Sequence, residues 1–421
     1  MGTQPSLTDL TRVFARIGLL SFGGPAAQIS LMHRELVDTR GWLDEARFLN
    51  ALSFAMLLPG PEAMQLATYA GWRLHSVIGG LIAGLLFVLP GAIVVAGLAV
   101  IYAYFGSVPL VAAAFLGVQA TVVVIVLQAL LRISTRALKR GMDWVIGVAA
   151  FVGIFAFVVP FPAIIAVAGL VGAMLPTMAG EYQPPPSAKR ARTAPAVLIC
   201  LFAWAAPIVV LYIMNADLLF DIAIFFSKLA VVTFGGAYAV LAYMTQEVVS
   251  DFGWITTEDM LIGLGLAETT PGPLILVTEF VGFLAGFKEG GLGLGLLAAL
   301  VTLWVTFVPC FLWIFAGAPY LEALTGQPHL KGALDGVTAA VVGVMLNLAI
   351  WFAVHVFFNE VAQSAIGPAS LPVPTLDSFD PIAVGFAIGA AILLLFFKVD
   401  LLRVLVLAAL AGIAIGALGL T

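Results

Sequence analysis

The chain alternates between long apolar runs and short polar breaks, and the runs have the length of membrane spans. Nine stand out, at about 77–104, 108–131, 141–158, 160–177, 196–214, 289–317, 331–357, 380–397 and 399–420. A helix of roughly 20 residues crosses a hydrocarbon core about 30 Å thick, so each run can span; 141–177 and 380–420 read as tilted or irregular pairs. Four further segments, 7–38, 46–75, 219–250 and 258–287, are apolar but interrupted by Gly-Gly or Pro-Gly-Pro. Proline lacks a backbone donor and clashes with the preceding turn, and glycine lowers helix propensity. These four are expected to be broken helices or re-entrant hairpins.

The interruptions belong to an internal repeat. Residues 21–61 align without a gap on 233–273, and 15 of the 41 positions are identical. The matches include Phe22/Phe234, Gly23/Gly235, Gly24/Gly236, Met32/Met244, Glu35/Glu247, Gly41/Gly253 and Trp42/Trp254, and they close on Pro59-Gly60-Pro61 against Pro271-Gly272-Pro273. A later stretch, GVQATVVVIVLQ at 117–128, matches GVTAAVVGVMLN at 336–347. The division expected is an N-terminal half, 1–180, a Pro-rich basic linker, 181–195, and a homologous C-terminal half, 196–421, led by an extra helix at 196–214.

Composition narrows the class. Of 421 residues, 62% are hydrophobic and 10% charged, with a mean hydropathy of +1.13. A soluble domain carries about 25% charged residues, so a soluble enzyme, a nucleic-acid-binding protein and a disordered chain are excluded. The long unbroken runs also argue against a transmembrane β-barrel. The net charge of −5 matters less than where the charges sit. Cys200 and Cys310 lie inside apolar runs and read as core residues, and no cleavable signal peptide is expected at the N-terminus.

Loop charge orients the halves. The loop at 33–47 carries Arg34, Arg40 and Arg47, whereas its counterpart at 245–259 has no Lys or Arg but has Glu247, Asp251, Glu258 and Asp259. The loop at 132–140 carries Arg132, Arg136, Lys139 and Arg140, and its counterpart near 358–380 has only acids, Glu360, Asp377 and Asp380. Opposite character in equivalent loops is what upside-down halves produce, with the first-half loops and the linker cytoplasmic. The alternative, a parallel repeat, requires the imbalance to be accidental. The fold class is therefore an all-α polytopic membrane protein whose two homologous halves form an inverted repeat with broken or re-entrant helices.

Inverted repeats with discontinuous helices are a transporter design. A helix starting just after Gly24, Gly60, Gly236 or Gly272 aims backbone N–H groups and a positive dipole end at a cavity, which is an anion site built from backbone. Ser21 and Thr233 add matching hydroxyl donors. The candidate substrate-binding residues are thus Ser21, Gly23, Gly24, Pro59, Gly60, Pro61, Gln65, Thr233, Gly235, Gly236, Thr269, Thr270, Pro271, Gly272 and Pro273. Arg16 and Lys228, each five residues before the Ser/Thr-Phe-Gly-Gly motif, are matched cations that attract an anion or simply snorkel. Glu62 reads as a helix cap, Thr68 and Tyr69 as cavity lining or packing, and Glu268 as a proton carrier for coupling or a partner for Thr269 and Thr270. Close packing is the competing role for the glycines, above all for Gly79, Gly80, Gly290 and Gly291.

Catalytic signals are absent. His33, His75, His329 and His355 form no metal spacing, and there is no nucleophile elbow, Walker loop or dinucleotide fingerprint. No enzyme activity, cofactor or metal is expected.

The chain resembles the chromate ion transporter family in its long two-domain form. The residues that carry the resemblance are SFGGP and TFGGAYAVL, RGWLDEARFL and FGWITTEDM, LLPGP, and LAETTPGPLILV. The resemblance implies chromate export from the cytoplasm and chromate resistance, sulfate as mimic and competitor, antiparallel halves and a bacterial inner (plasma) membrane. A homodimer is left open. The other readings are a sulfate or small-oxyanion permease on the same scaffold, a structural or sensor membrane subunit and, weakest, a membrane enzyme.

Overall fold

A computed structural model describes residues 5–175, 194–234, 237–321, 327–366 and 369–418. Helices dominate. The first half contains α1 (Leu7–Leu20), α2 (Gly24–His33), α3 (Glu45–Leu57), α4 (Glu62–Phe105), α5 (Pro109–Ala137), α6 (Gly141–Phe157) and α7 (Phe161–Met174). The second contains α8 (Ala194–Ile213), α9 (Asp217–Val232), α10 (Ala237–Thr245), α11 (Thr257–Thr269), α12 (Val277–Gly317), α13 (Pro328–Phe357), α14 (Pro381–Ala391) and α15 (Leu401–Ala417). Among the described residues, five helical runs are long and apolar enough to cross a membrane. The linker at 181–195 lies outside the described residues except for its last two.

The longest helices are folded on themselves. Backbone torsions leave the helical region at His75–Ser76 in α4 and at Gly290–Gly291 in α12. Gly71 backs directly onto the Gly79 carbonyl, although eight residues of straight helix would separate them by about 12 Å. In α12, Gly282 meets Thr302 and Gly286 meets Ala298 in the same way. Each is therefore a hairpin of a short first limb and a longer second limb. Glycine is required where the limbs touch, because a Cβ would collide with the opposing backbone or side chain.

The chain also turns back between α1 and α2. Arg16 Nη1 lies 3.9 Å from Glu35 Oε1. Nineteen residues of continuous helix would put them about 28 Å apart along the axis, beyond the reach of two side chains. Gly23 and Gly24 make the reversal, with φ of +83° and +77°, where an L side chain is strained. Pro25 then starts α2, since its missing N–H costs nothing in the first turn.

Two compact units result, and neither follows a sequence half. One comprises residues 1–100, 177–237 and 270–331; the other comprises 101–176, 238–269 and 332–421. In the first unit, Gly80 faces Phe315 and Gly84 faces Phe311, so the second limbs of α4 and α12 run antiparallel. These limbs are equivalent in the repeat, Pro90 matching Pro309. Their opposite direction is the inverted repeat expected from loop charge.

In the second unit, α5 packs against α15 antiparallel through Gly117 on Ala408 and Gly412 on Ala113. The helix α7 packs on α13 through Gly172 and Gly336. Arg140 joins Asp143 at 2.9 Å and reaches Asp335 at 3.8 Å, which places the end of α5 level with the start of its equivalent, α13. The segment near 358–380, expected only as a loop, contains an antiparallel hairpin of β1 (Val361–Ile366) and β2 (Ala369–Pro374).

Candidate functional site

The two Pro-Gly-Pro breaks lie in the first unit, and each is held by the other half. Gly60 N–H donates to Thr233 O at 2.8 Å, and Gly272 N–H donates to Ser21 O at 3.0 Å. Residues 60 and 272 are repeat equivalents, as are 21 and 233, so the pair of bonds obeys a pseudo-two-fold relation. Both glycines have φ in the left-handed region, +120° and +90°. The packing repeats the exchange: Gly60 abuts Cys310, and Gly91 abuts the Pro271 carbonyl. Gly91 sits halfway along the second limb of α4, so this break falls near mid-depth of a spanning helix.

Two glutamines complete the arrangement. Gln65 Nε2 donates to Pro59 O at 2.6 Å. Gln28 Nε2 donates to Gly272 O at 2.7 Å and to Ser21 O at 3.2 Å, bridging the halves. The Oε1 of each glutamine is buried without a partner. Carbonyl dipoles at a break repel an anion, and these carboxamides occupy several of them. The N–H groups of Glu62, Ala63 and Met64 precede the first helical bond of α4, Gln65 N–H to Pro61 O at 3.1 Å, and have no acceptor within the helix. The start of α2 is likewise preceded by Gly23 and Gly24, and nothing lies within 4 Å of a Cβ built on Gly24. The arrangement thus offers an open backbone turn at Gly23-Gly24 beside two closed breaks.

The other expected residues fall as follows. Pro59, Pro61, Thr270, Pro271 and Pro273 are buried at the breaks. Ser21 and Thr233 are buried there too, but their hydroxyl hydrogens go to their own helices, on Ile17 O and Leu229 O, so it is their carbonyls that act across the halves. Arg16 and Lys228 are on exposed helix faces, Arg16 directed at Glu35, which also receives Arg40. The structure therefore does not bring these two cations to the breaks. Glu268 is buried and Thr269 gives its hydroxyl to Leu266 O, both in the second unit. Gly235 and Gly236 lie outside the described residues. Two residues escaped the sequence reading, Gln28 and Glu279. Glu279 is 2% exposed, and the available signal was a single acid in the apolar run 274–287. Among the described residues, no group of His, Cys, Asp or Glu is placed to hold a metal.

Comparison with known proteins agrees with this architecture. The family described as chromate transporter matches residues 8–173 and 220–413, one match in each half. The chain is 35% identical to a chromate transport protein of Pseudomonas aeruginosa, over 81% of this chain and 79% of that one. It is 31% identical to a probable chromate transport protein of Synechococcus elongatus, over 82% and 84%. It is 29% identical to a chromate transport protein of Cupriavidus metallidurans, over 83% of each. No solved structure matches. With family matches across both halves and apolar helices long enough to span, this chain is a multi-pass membrane protein that belongs to the chromate transporter family.

Proposed function

We propose that this protein exports chromate from the cytoplasm across a bacterial inner membrane, conferring resistance, by alternating access around the two breaks. The observation that carries the reading is the exchanged pair Gly60–Thr233 and Gly272–Ser21, beside the open Gly23-Gly24 turn. In the conformation described, each break glycine N–H is taken by a carbonyl of the other half, Thr233 O or Ser21 O. Parting the halves frees two N–H groups near mid-depth, and an oxyanion is the ligand that two such donors fit. Chromate and sulfate share shape and charge, so sulfate competes. Arg34, Arg40 and Arg47, with the first-half turn at Arg73, support a cytoplasmic face for this side and for the linker.

The membrane potential suffices as a driving force. Moving one charge through 100 mV is worth about 2.3 kcal/mol, so a dianion leaving a negative interior gains about 4.6 kcal/mol, a concentration ratio on the order of a thousand.

Chromate uptake into inside-out vesicles, with an imposed inside-positive potential and no pH gradient, tests the reading. Uptake that follows the potential and is blocked by excess sulfate is expected. Wild-type uptake by Gly24→Leu would sink the backbone site, and no uptake by the wild type under any gradient would point to a non-transport subunit.

A further inference from the structure

The first limb of α12 carries one acid in its apolar stretch, Glu279, and its Oε2 is buried without a hydrogen-bond partner. Gly282 backs onto Thr302 and Gly286 onto Ala298 in the opposing limb. One turn earlier, the same face brings Thr278 and Glu279 level with Thr302 and Thr306. Thr278 and Thr302 give their hydroxyls to Ile275 O and Ala298 O. Thr306, 3% exposed, does not: its Oγ1 is buried and unpartnered, while its carbonyl accepts from Cys310 Sγ. Cys310 in turn lies beside Gly60 and Gln65, whose Oε1 is a third unpartnered buried oxygen.

These groups are all acceptors or hydroxyls, and among the described residues no buried Lys or Arg answers them. The second limb of α12 and the helix α8 contain no Lys or Arg. On α9, Lys228, Asp217 and Asp221 are exposed; on the first limb of α4, Arg73 is exposed and Glu62 half-buried; at the α12 turn, Lys288 and Glu289 are exposed. An ionised carboxylate enclosed here lacks a counter-charge and, in this conformation, any hydrogen bond at Oε2, which is costly at membrane depth. A neutral carboxyl is not.

We propose that Glu279, level with the unpartnered hydroxyl of Thr306, is a proton-binding site linked to anion occupancy at the breaks: a proton from bulk water is held on the carboxyl while the parted breaks hold the dianion, and returns to water when the anion leaves and the break glycines pair again with Thr233 and Ser21. This rests on the anion reading of the breaks. Glu279 lies seven residues beyond Gly272, on the order of 10–15 Å through an extended residue, a 3-10 turn and the first α-helical turn. A dianion at that range raises the proton affinity of a carboxyl by more than about tenfold in a protein interior.

The test is chromate binding by the full-length protein in detergent, across the alkaline range where chromate itself carries no proton, in sodium-free buffer, with an indicator dye for proton uptake. In the wild type, apparent affinity should fall with rising pH, by up to about tenfold per pH unit, and binding should take up as much as one proton per chromate. Glu279→Gln should bind chromate with neither pH dependence nor proton uptake. Wild-type binding that is independent of pH, or uptake that persists in Glu279→Gln, overturns the proton site and leaves the anion reading standing. So does affinity set by added sodium at constant pH. Absence of chromate binding in the wild type overturns both. Should Glu279→Gln fail to fold, Thr306→Val decides: it should displace the pH at which affinity falls, and an unchanged profile overturns the proposal.

Discussion

The two breaks obey the same rule and are held by different materials. Around Gly60 the neighbours are side chains, Cys310 Sγ and Gln65 Nε2, each 2.9 Å from where a Cβ would stand. Around the second break the tightest contact is backbone, Pro271 O on Gly91; Gly272 itself is flanked by the Leu276 side chain at 3.1 Å and by Gly91 Cα and Phe87 O at 3.5 Å. The continuation differs as well. Glu62 opens a regular α-helix after the first break, whereas Leu274–Leu276 form a single tight 3-10 turn after the second. The first break is pinned by a glutamine of its own half and the second by Gln28 from the other half. Side chains can change rotamer, but a backbone contact has no such freedom. The second break is the fixed jaw of the pair and the first the adaptable one.

The sharpest way to break this comparison is at the equivalent positions 91 and 310. Gly91→Ala should drive a methyl into the Pro271 carbonyl, costing about 3 kcal/mol and abolishing transport. Cys310→Ala should cost less than about 2 kcal/mol and leave transport measurable. Thermal melting by size-exclusion in detergent and vesicle uptake read both; equal losses would show that the jaws are alike.

Next come the break glycines. Gly60→Ala and Gly272→Ala each place a side chain at positive φ, a strain of about 1–3 kcal/mol. Cys310→Ala should rescue part of the loss in Gly60→Ala, since the added methyl meets the thiol. Leu276→Ala should rescue Gly272→Ala less, since its 3.1 Å contact is already looser and the strain at φ +90° remains. A double-mutant cycle showing no coupling between positions 60 and 310 would remove the distinction.

Smaller effects follow from the glutamines. Gln28→Leu and Gln65→Leu each strand break carbonyls, at about 1–3 kcal/mol. Only Gln28→Leu, which uncouples the halves, should also change the potential dependence of uptake. The reverse pattern would reassign the bridge.

The smallest effect belongs to the tips of the re-entrant hairpins. His33 Nε2 lies 2.6 Å from Glu45 and Nδ1 3.3 Å from Asp38, and the bond to Glu45, opposed by slight burial and helped by both carboxylate charges, raises its pKa above the ordinary value. Its equivalent is Thr245, whose Oγ1 has no partner. A raised histidine pKa stabilises the folded state fully below the unfolded pKa, and that contribution is lost as pH rises through the folded value. Thermal stability should therefore decline modestly from mildly acidic to alkaline pH, a slope that His33→Gln removes and Thr245→Val does not.

Much of the architecture was legible because it follows from local composition. Apolar runs of span length, helix-breaking Pro-Gly-Pro and opposite loop charge at 33–47 and 245–259 are each written within a few dozen residues. They yielded the spanning limbs, the hairpins and the antiparallel halves. The site was legible only in outline. The glycines and prolines at 59–61 and 271–273 are at the breaks, but Arg16 and Lys228 are not, because a helix face is set by packing and not by distance from a motif. The hairpin β1–β2 was missed because its segment mixes prolines with few alternating apolar positions.

By itself the sequence determined that this protein lives in a membrane, that it is built twice over, and where its helices break. Tertiary structure alone decided which carbonyl receives each break's N–H, which glutamine caps it, and that both breaks share a unit drawn from both halves. The physical reason is range. Propensity and hydropathy act over a helical turn or a bilayer thickness of chain. The bonds Gly60–Thr233 and Gly272–Ser21 join residues far apart in sequence, and only the packed molecule selects among the many carbonyls that are locally equivalent.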